Sequence, residues 1–245
     1  TPTGRLRVAR WPAEGESAAG TVVLLPGRTE FIEKYADTGA WLAGQGYAAA
    51  ALDWRGQGAS FRLLPNPRKG HVADFAAYLD DLDRLMARLE ALGSPEPFLM
   101  LAHSMGGHIG LRWLAERDRG RKHRFAAAAL VAPMFDIELG SLPRGVVRRL
   151  ARLAARLGGG AFYAPGQGDG LARVLQRFET NPLTTCPERY RRWRALLERH
   201  PDHVIGGVTF GWLDAALRSI AVTRRPGHLE AIDVPILVCQ AAEES

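Results

Sequence analysis

The sequence has few cysteines and no long apolar run, and each of these absences excludes a class of protein. Its 245 residues include only two cysteines, Cys186 and Cys239, which are too few for a disulfide framework. No apolar run reaches the roughly 18 residues that a membrane-spanning helix needs. No Cys/His cluster has metal-binding spacing, and no dinucleotide fingerprint follows a predicted strand. We therefore expect neither a metal nor an organic cofactor.

Lysine is also scarce, and the positive charge is unevenly distributed. The chain has 3 Lys and 29 Arg, and its 32 basic and 26 acidic residues give a net charge of +6. Residues 136–230 hold 15 Arg and no Lys against 9 Asp and Glu, which is again a net of +6. The other 150 residues hold 17 basic and 17 acidic groups. The whole excess thus belongs to one segment, and a nucleic acid is not an expected partner.

Short apolar runs alternate with segments of helical periodicity in the first half of the chain. Apolar residues make up 47% of the composition and charged residues 24%, which is typical of a globular domain. The pattern predicts five strands, over residues 21–25, 47–52, 98–102, 125–131 and 234–238. It predicts helices between them, over residues 30–43, 74–92 and 105–116. This alternation indicates an α/β fold whose parallel sheet is covered by helices on both faces.

The alternation is interrupted once, by the arginine-rich segment. Residues 136–230 lack a convincing strand and contain helical patterns over 146–157, 188–199 and 212–222. We call residues 136–230 the insertion. It is predicted to form a helical cap over the C-terminal edge of the sheet, where open α/β sheets bind ligands. Residues 1–135 and 231–245 would then form the core domain.

The sharpest local signal surrounds Ser104, which stands directly between a predicted strand and a predicted helix. This is the setting of a nucleophile elbow, in which a tight turn exposes the serine at the edge of the sheet. Ala102, Gly106 and Gly107 supply the small side chains that such a turn requires, although the motif usually has glycine where Ala102 stands. The alternative is a serine that only caps the helix.

Several further stretches, together with the Ser104 motif, resemble one protein family in their order and spacing. The matching stretches are Leu-Pro-Gly-Arg-Thr-Glu (25–30), Asp-Trp-Arg-Gly-Gln-Gly-Ala-Ser (53–60), Arg-Lys-Gly-His (68–71), Ala-His-Ser-Met-Gly-Gly (102–107), Ala-Pro-Met-Phe (132–135), Arg-Tyr-Arg-Arg (189–192), Gly-Gly-Val-Thr (206–209) and Val-Pro-Ile-Leu-Val-Cys-Gln-Ala-Ala-Glu-Glu (234–244). The chain resembles the bacterial lysophospholipases of the monoacylglycerol-lipase-like branch of the α/β hydrolases, which are grouped with serine aminopeptidase-like hydrolases. The resemblance implies an α/β-hydrolase fold. Its last strand and helix are expected beyond residue 245.

The resemblance also implies roles for individual residues. Ser104 would be the acyl-accepting nucleophile, and the backbone amides of Met105 and Arg28 would hold the oxyanion. Pro26 replaces a histidine that is usual in the family at that turn, but only backbone groups are needed there. The catalytic acid is expected at Glu244, with Glu243 as an alternative acid and a pair of solvated loop residues as the remaining interpretation.

The catalytic histidine is expected beyond residue 245, after one more strand. The chain itself contains seven histidines, namely His71, His103, His108, His123, His200, His203 and His228. His108 lies four residues after Ser104 and is the alternative base, but no acid in the sequence is placed to orient it. His200, His203 and His228 lack a carboxylate at useful spacing along the chain. Asp80, Asp81 and Asp83 are expected on a solvated helix face, and Asp53 and Arg55 in a turn that they stabilise.

The implied activity is that of a serine ester hydrolase acting on a lysophospholipid or a monoacylglycerol. A general carboxylesterase or peptidase on the same scaffold is one alternative, and a catalytically silent protein that binds a lipid or a partner is another. Aromatic residues of the insertion would line an acyl-chain channel or else form its core; they are Phe162, Tyr163, Phe178, Trp193, Phe210 and Trp212.

The first predicted helix of the insertion carries both regularly spaced arginines and apolar residues. Arg144, Arg148, Arg152 and Arg156 recur at four-residue spacing, on a helix that also carries Val146, Val147, Leu150, Leu153 and Leu157. A basic amphipathic helix suits contact with an anionic membrane or a phospholipid head group. A solvated face of a packed helix is the alternative. If the helix contacts a membrane, we expect a cytoplasmic protein that binds peripherally at the inner membrane face.

Overall fold

The computed structural model describes residues 4–15, 17–118, 124–139, 143–170, 177–181 and 184–240. These residues form a six-stranded sheet with the order β1-β3-β2-β4-β5-β6. The strands are β1 (Val8–Trp11), β2 (Thr21–Leu25), β3 (Ala48–Leu52), β4 (Phe98–His103), β5 (Phe125–Val131) and β6 (Ile236–Cys239). Only β1 pairs antiparallel to its neighbour; the other pairs are parallel. The predicted, mostly parallel sheet is confirmed.

Within the described residues, three α-helices cover the sheet and three lie in the insertion. The first three are α1 (Ala36–Gly44), α2 (Ala76–Ala91) and α3 (Met105–Glu116). Those of the insertion are α4 (Arg144–Arg156), α5 (Pro187–Arg199) and α6 (Phe210–Thr223). A short 3₁₀ helix, Ile32–Tyr35, precedes α1. No helix of the described part of the chain is both long and apolar enough to cross a membrane.

Apolar clusters lie on both faces of the sheet, which is why β2 and β3 are apolar except for Thr21. On one face Leu79 and Met86 of α2 and Ile109 of α3 pack against the strands. On the other face Leu24 of β2 packs with Leu42 of α1. Every residue of β2 and β3 is buried, as expected for strands covered from both sides.

Strand β1 was not predicted from the sequence. It pairs only with β3, at the edge of the sheet, and its residues are alternately exposed and half-buried. A four-residue edge strand has no continuous apolar run, so its pairing partner, rather than its own composition, determines its conformation.

A buried ion pair fixes the turn after β3 and corrects one expectation. Nε and Nη2 of Arg55 donate to the carboxylate of Asp81 at 2.8 and 2.6 Å, and both side chains are buried. Asp53 accepts hydrogen bonds from the amides of Ile32 and Ala59, each at 2.9 Å. The predicted turn-stabilising roles of Asp53 and Arg55 are thus confirmed. The prediction of a solvated face was wrong for Asp81, because α2 turns that carboxylate inward onto Arg55.

The insertion is joined to the core by two of the family-like motifs, which pair with each other across the chain. The amide of Gly206 donates to the carbonyl of Arg68 at 2.7 Å, and that of Gly70 to Gly207 at 3.0 Å. Nδ1 of His71 lies 2.8 Å from Oγ1 of Thr209. This pairing positions α6, which packs Trp212, Ala215 and Ala216 into the main core cluster. The division of the chain into a core and a cap domain at residues 136 and 230 stays a prediction.

Candidate active site

Ser104 occupies the single-residue turn between β4 and α3 and has a strained backbone. Its φ of 50° and ψ of −117° lie where residues other than glycine are seldom found. Its amide donates to Val131 of the neighbouring strand at 3.0 Å, and its carbonyl accepts from Met134 at 2.9 Å. A strained serine held between strand and helix is the backbone geometry of a nucleophile elbow. The side chain is half-buried and makes no hydrogen bond to any residue that the structure describes.

Two glycines at the start of α3 allow the helix to approach the sheet. A Cβ on Gly106 would lie 2.2 Å from the carbonyl oxygen of Leu25 and 2.6 Å from that of Pro26. A Cβ on Gly107 would lie 2.9 Å from Cβ of Pro133. Ala102 is buried, so the replacement of the usual glycine by alanine is accommodated. The steric purpose predicted for the small residues is confirmed for Gly106 and Gly107.

The two predicted oxyanion donors stand at the same edge of the sheet. Leu25, at the end of β2, is paired with Ala102 near the end of β4, so Arg28 and Met105 follow adjacent strands. Met105 opens α3, where the first N–H groups have no partner within the helix. Within the described ranges, neither amide has an acceptor. Their assignment as the oxyanion hole stays a prediction, with geometry that permits it.

Glu30, which sequence reasoning did not single out, organises the loop after β2. Its Oε2 accepts from the amide of Gly27 at 2.6 Å and from the hydroxyl of Tyr35 at 2.5 Å. Its other oxygen, Oε1, lies 3.0 Å from Nδ1 of His103 and contacts Lys34. Burial disfavours the charged carboxylate, but His103 and Lys34 outweigh that effect and lower the pKa of Glu30 to about 2. Its position at the end of the family-like stretch 25–30 was the available signal.

His108 is not placed to act on Ser104. It is buried on α3, and its Nε2 lies 2.6 Å from Oγ of Ser219 in α6. Burial, and then the positive charge of Arg112, lower the pKa of His108 to about 4. His108 therefore stays neutral at physiological pH and joins α3 to the insertion.

Two histidines of the insertion have carboxylate neighbours that their spacing in the sequence concealed. Nδ1 of His203 lies 3.6 Å from Glu33, and Nε2 of His228 lies 3.4 Å from Glu116. The expectation that these histidines lack a carboxylate was wrong, because the partners come from the core. Three residues of the sequence analysis lie outside the described residues: His123, Glu243 and Glu244.

One cluster in the described ranges has the composition of a metal site. Glu33, His200 and His203 bring a ligand atom each to within 4.8 Å of one another. The rings of His200 and His203 stack with their centres 5.0 Å apart. However, Nη2 of Arg7 already donates to the carboxylate of Glu33 at 2.6 Å, so a cation would compete with a guanidinium. The cluster was missed in the sequence because Glu33 is far from the two histidines along the chain.

The aromatic residues of the insertion do not share one location. Trp212 is buried beside Phe75 of the core, with ring centres 5.6 Å apart. Trp193 packs on Phe31 at 5.2 Å, whereas Phe162 is 67% exposed. The six aromatic residues therefore do not line one common acyl channel. Trp212 belongs to the core.

Comparison with known proteins identifies the family of this chain. The family model described as serine aminopeptidase, S33, matches residues 16–245. The chain belongs to the serine aminopeptidase S33 family. This family membership confirms the predicted α/β-hydrolase fold and places the chain in the serine hydrolase class of that fold.

Relatives of this S33 family member include two named lysophospholipases. A probable lysophospholipase L2 from Haemophilus influenzae is 33% identical over 91% of the chain and 67% of its own length. Lysophospholipase L2 from Escherichia coli K12 is 36% identical over 91% of the chain and 63% of its own length. The chain thus spans about two thirds of the length of these curated relatives. Among solved structures, a soluble variant of monoglyceride lipase from Saccharomyces cerevisiae matches 98% of the chain and 74% of its own, with a TM-score of 0.71 and 19% identity. That likeness concerns the fold.

Proposed function

We propose that the protein is a serine ester hydrolase that releases a fatty acid from a lysophospholipid or a monoacylglycerol. The observation that carries the proposal is the strained Ser104 between β4 and α3, at the sheet edge where β2, the strand before Arg28, also ends. The relatives named as lysophospholipases and the lipase-like fold support a lipid as the substrate. Ester hydrolysis needs no redox chemistry, and serine nucleophiles perform it through a covalent intermediate.

In the proposed mechanism, Oγ of Ser104 attacks the carbonyl carbon of the lipid ester. A base removes the proton of the hydroxyl as the new C–O bond forms, and the carbonyl oxygen becomes an oxyanion. The amides of Arg28 and Met105, together with the positive end of the α3 dipole, stabilise that charge. Collapse of the intermediate breaks the ester bond, and the glycerol-bearing alcohol leaves with the proton returned by the base. Water then hydrolyses the acyl-serine by the same steps and releases the fatty acid.

The base is proposed to be a histidine beyond residue 245, oriented by Glu244, as the family resemblance implies. Three of the described histidines support this choice because their ring nitrogens face partners other than Ser104. His103 faces Glu30, His108 faces Ser219, and His71 faces Thr209. Glu243 is the alternative acid. A serine without its base and acid is a weak nucleophile, since these residues act as a unit.

The experiment uses the full-length protein and measures fatty acid released from lysophosphatidylcholine and from a monoacylglycerol. Ser104→Ala is expected to lower kcat by at least about 10⁴-fold and to abolish labelling by a fluorophosphonate. Ser94→Ala is the matched control, because the Oγ of Ser94 is buried, has no hydrogen-bond partner among the described residues, and lies in the turn after α2. Faster turnover of p-nitrophenyl esters or aminoacyl amides than of both lipids would indicate the esterase or peptidase alternative. A wild-type protein that is not labelled would indicate a silent binding protein.

A second proposal concerns the insertion, which would contact an anionic membrane through α4. The large apolar residues of this helix are exposed, at 43% for Val146, 52% for Leu150, 54% for Leu153 and 77% for Leu157. The helix packs on α6 through Ala151 and Val147 instead. Apolar side chains turned to solvent are typical of a helix that lies in a membrane interface.

The charges of α4 support the same proposal. Arg148, Arg149, Arg152 and Arg156 are exposed, and within the part of the chain that the structure describes none of them is paired with a carboxylate. Arg144, by contrast, is bound to Asp136. Unpaired arginines beside an exposed apolar stripe match a bilayer that offers acyl chains below and anionic head groups above. Such contact would bring the proposed site to its lipid substrate.

A further inference from the structure

The side chain of Arg28 lies in the seam between the loop after β2 and the insertion. Its Nη2 donates to the carbonyl of Gly206 at 2.5 Å, and its Cζ lies 5.4 Å from the centre of the Trp212 ring. A Cβ on Gly70 would lie only 2.8 Å from the same Nη2, so glycine at that position leaves room for the guanidinium. A carbonyl, an aromatic face and a glycine thus hold the side chain, and none of them neutralises its charge.

Arg28, which is half-buried, differs in this respect from two other arginines whose side chains the fold holds in place. Arg55 has the carboxylate of Asp81, and Arg7 has that of Glu33. Among the residues that the structure describes, Arg28 forms no ion pair, and its Nε is buried without a hydrogen-bond partner. Removal of the guanidinium from water lowers the pKa of Arg28 to about 10, so it remains charged at neutral pH. A half-buried cation with no counter-ion among the described residues is suited to bind an anion that enters between this loop and the insertion.

The position of Arg28 relates this cation to the proposed chemistry. Its own amide is the predicted oxyanion donor, so its side chain extends from the point where the ester carbonyl would bind. In a lysophospholipid one glycerol unit separates that carbonyl from the phosphate, and three methylene groups separate Cα of an arginine from its guanidinium. Guanidinium groups bind phosphate oxygens through parallel N–H bonds. A monoacylglycerol offers only a hydroxyl at the corresponding place.

We propose that the Arg28 guanidinium is the binding site for the phosphate of a lysophospholipid, while the amide of the same residue holds the ester oxyanion. The inference rests on the proposed function and names its preferred substrate class. It predicts that a phosphorylated glycerolipid binds better than its neutral counterpart because of this one side chain.

The test measures binding of two non-hydrolysable ligands to full-length protein carrying Ser104→Ala. One ligand is a short-chain ether analogue of lysophosphatidylcholine, and the other is the matching ether glycerol. Adding Arg28→Met is expected to lower the ratio of the two affinities by about tenfold to a hundredfold, which is the range for a lost charge-assisted hydrogen bond. Arg28→Lys keeps the charge without the fork geometry, and should lower the ratio less.

Arg62→Met is the matched control. Nη2 of Arg62 also bridges the core and the insertion, through the carbonyls of Gly58 at 2.6 Å and Asp202 at 3.0 Å. Its removal should leave the affinity ratio unchanged. An unchanged ratio in the Arg28→Met protein, or equal weakening of both ligands, would overturn the proposal. Binding of inorganic phosphate that Arg28→Met abolishes, without a change in the lipid ratio, would also overturn it and assign the guanidinium to free phosphate.

The binding test separates this inference from the proposed function. It uses ligands that cannot be hydrolysed and a protein without the candidate nucleophile, so its result does not depend on catalysis. Failure of the proposed function would instead appear as a lack of lipid hydrolysis by the wild-type protein. That result could occur whether or not Arg28→Met changes the ratio of the two affinities.

Discussion

Oε1 of Glu30 lies 3.0 Å from Nδ1 of His103, the residue that precedes the candidate nucleophile. The same carboxylate, through Oε2, accepts from the amide of Gly27, two positions after the end of β2. One side chain therefore connects the two loops that would supply the nucleophile and the oxyanion donors. We interpret Glu30 as a positioning residue of the site.

Glu30→Gln is expected to destabilise the protein at neutral pH by up to about 3 kcal/mol, since the pKa falls from 4.5 to about 2 on folding. A carboxylate whose pKa is lowered by folding contributes its stability above its unfolded pKa and loses it as the pH falls through the folded value. The difference between wild type and variant should hence shrink between pH 4.5 and pH 2. Urea unfolding at pH 7 and pH 3.5 measures it. The exposed Glu14→Gln is the control, and an equal difference at both pH values would contradict the prediction.

Gly106→Ala is expected to destabilise the elbow by about 1–3 kcal/mol, which is typical of overpacking, because the new Cβ would meet backbone carbonyl oxygens of β2 and its loop. Gly145→Ala is the matched control on α4, where a Cβ would have no atom of a described residue within 4 Å. There alanine should stabilise the protein by up to about 1 kcal/mol through helix propensity. Thermal unfolding and fluorophosphonate labelling compare the two; similar effects of both substitutions would show that the close approach at Gly106 is unimportant.

His108→Asn is expected to leave the rate of fluorophosphonate labelling of Ser104 within about threefold of wild type, since loss of a true general base would slow it by about 100-fold or more. The ring of His108 is bonded to Ser219, so stability rather than reactivity should change. Labelling rates at several pH values, alongside Ser219→Ala as a control for the lost hydrogen bond, decide the point. A hundredfold slower reaction of the folded variant would make His108 the base.

Binding to vesicles tests the proposed membrane contact of α4. Sedimentation with phosphatidylglycerol vesicles should exceed that with phosphatidylcholine vesicles and weaken as salt is added. Replacing Arg149 and Arg156 by glutamine should weaken binding about tenfold or more, at roughly 1 kcal/mol for each arginine. Arg84→Gln with Arg88→Gln is the control, because both of these arginines are exposed on α2.

The exposed leucines of α4 allow a second test of membrane contact by vesicle binding. Leu150→Gln with Leu153→Gln should weaken binding to both kinds of vesicle, whereas Leu92→Gln, at an exposed leucine after α2, should not. Binding that depends on neither salt nor these leucines would contradict membrane contact through α4.

Much of the fold around Ser104 could be predicted because its signals are local. β2 and β4 are compact apolar runs, and α3 begins and ends at the predicted residues, Met105 and Glu116. The elbow itself follows from a strand that meets a helix at one serine. Each of these features depends on residues within a few positions of one another, which is the range over which hydrophobic periodicity is informative.

Other features could not be predicted because they depend on partners distant in the chain. Asp81 was predicted on a solvated face, but it forms a buried ion pair with Arg55 of the turn after β3. Glu30 contacts His103, which is distant in the sequence, and Glu33 lies close to His200 and His203 of the insertion. The local sequence around Asp81 predicted a solvated face, and the local sequence around Glu30 and Glu33 predicted no role for either residue. Only tertiary contacts distinguish such a residue from one that is truly exposed.

The pairing between residues 68–71 and 206–209 has a consequence for protein engineering. Because α6 follows that pairing and contributes Trp212, Ala215 and Ala216 to the main core, the last part of the insertion folds as a component of the sheet domain. A chimera that exchanged all of residues 136–230 with a relative would replace core side chains without their packing partners. A graft that ends before Gly206 keeps α6 with its native neighbours, and also keeps the carbonyl that holds Arg28.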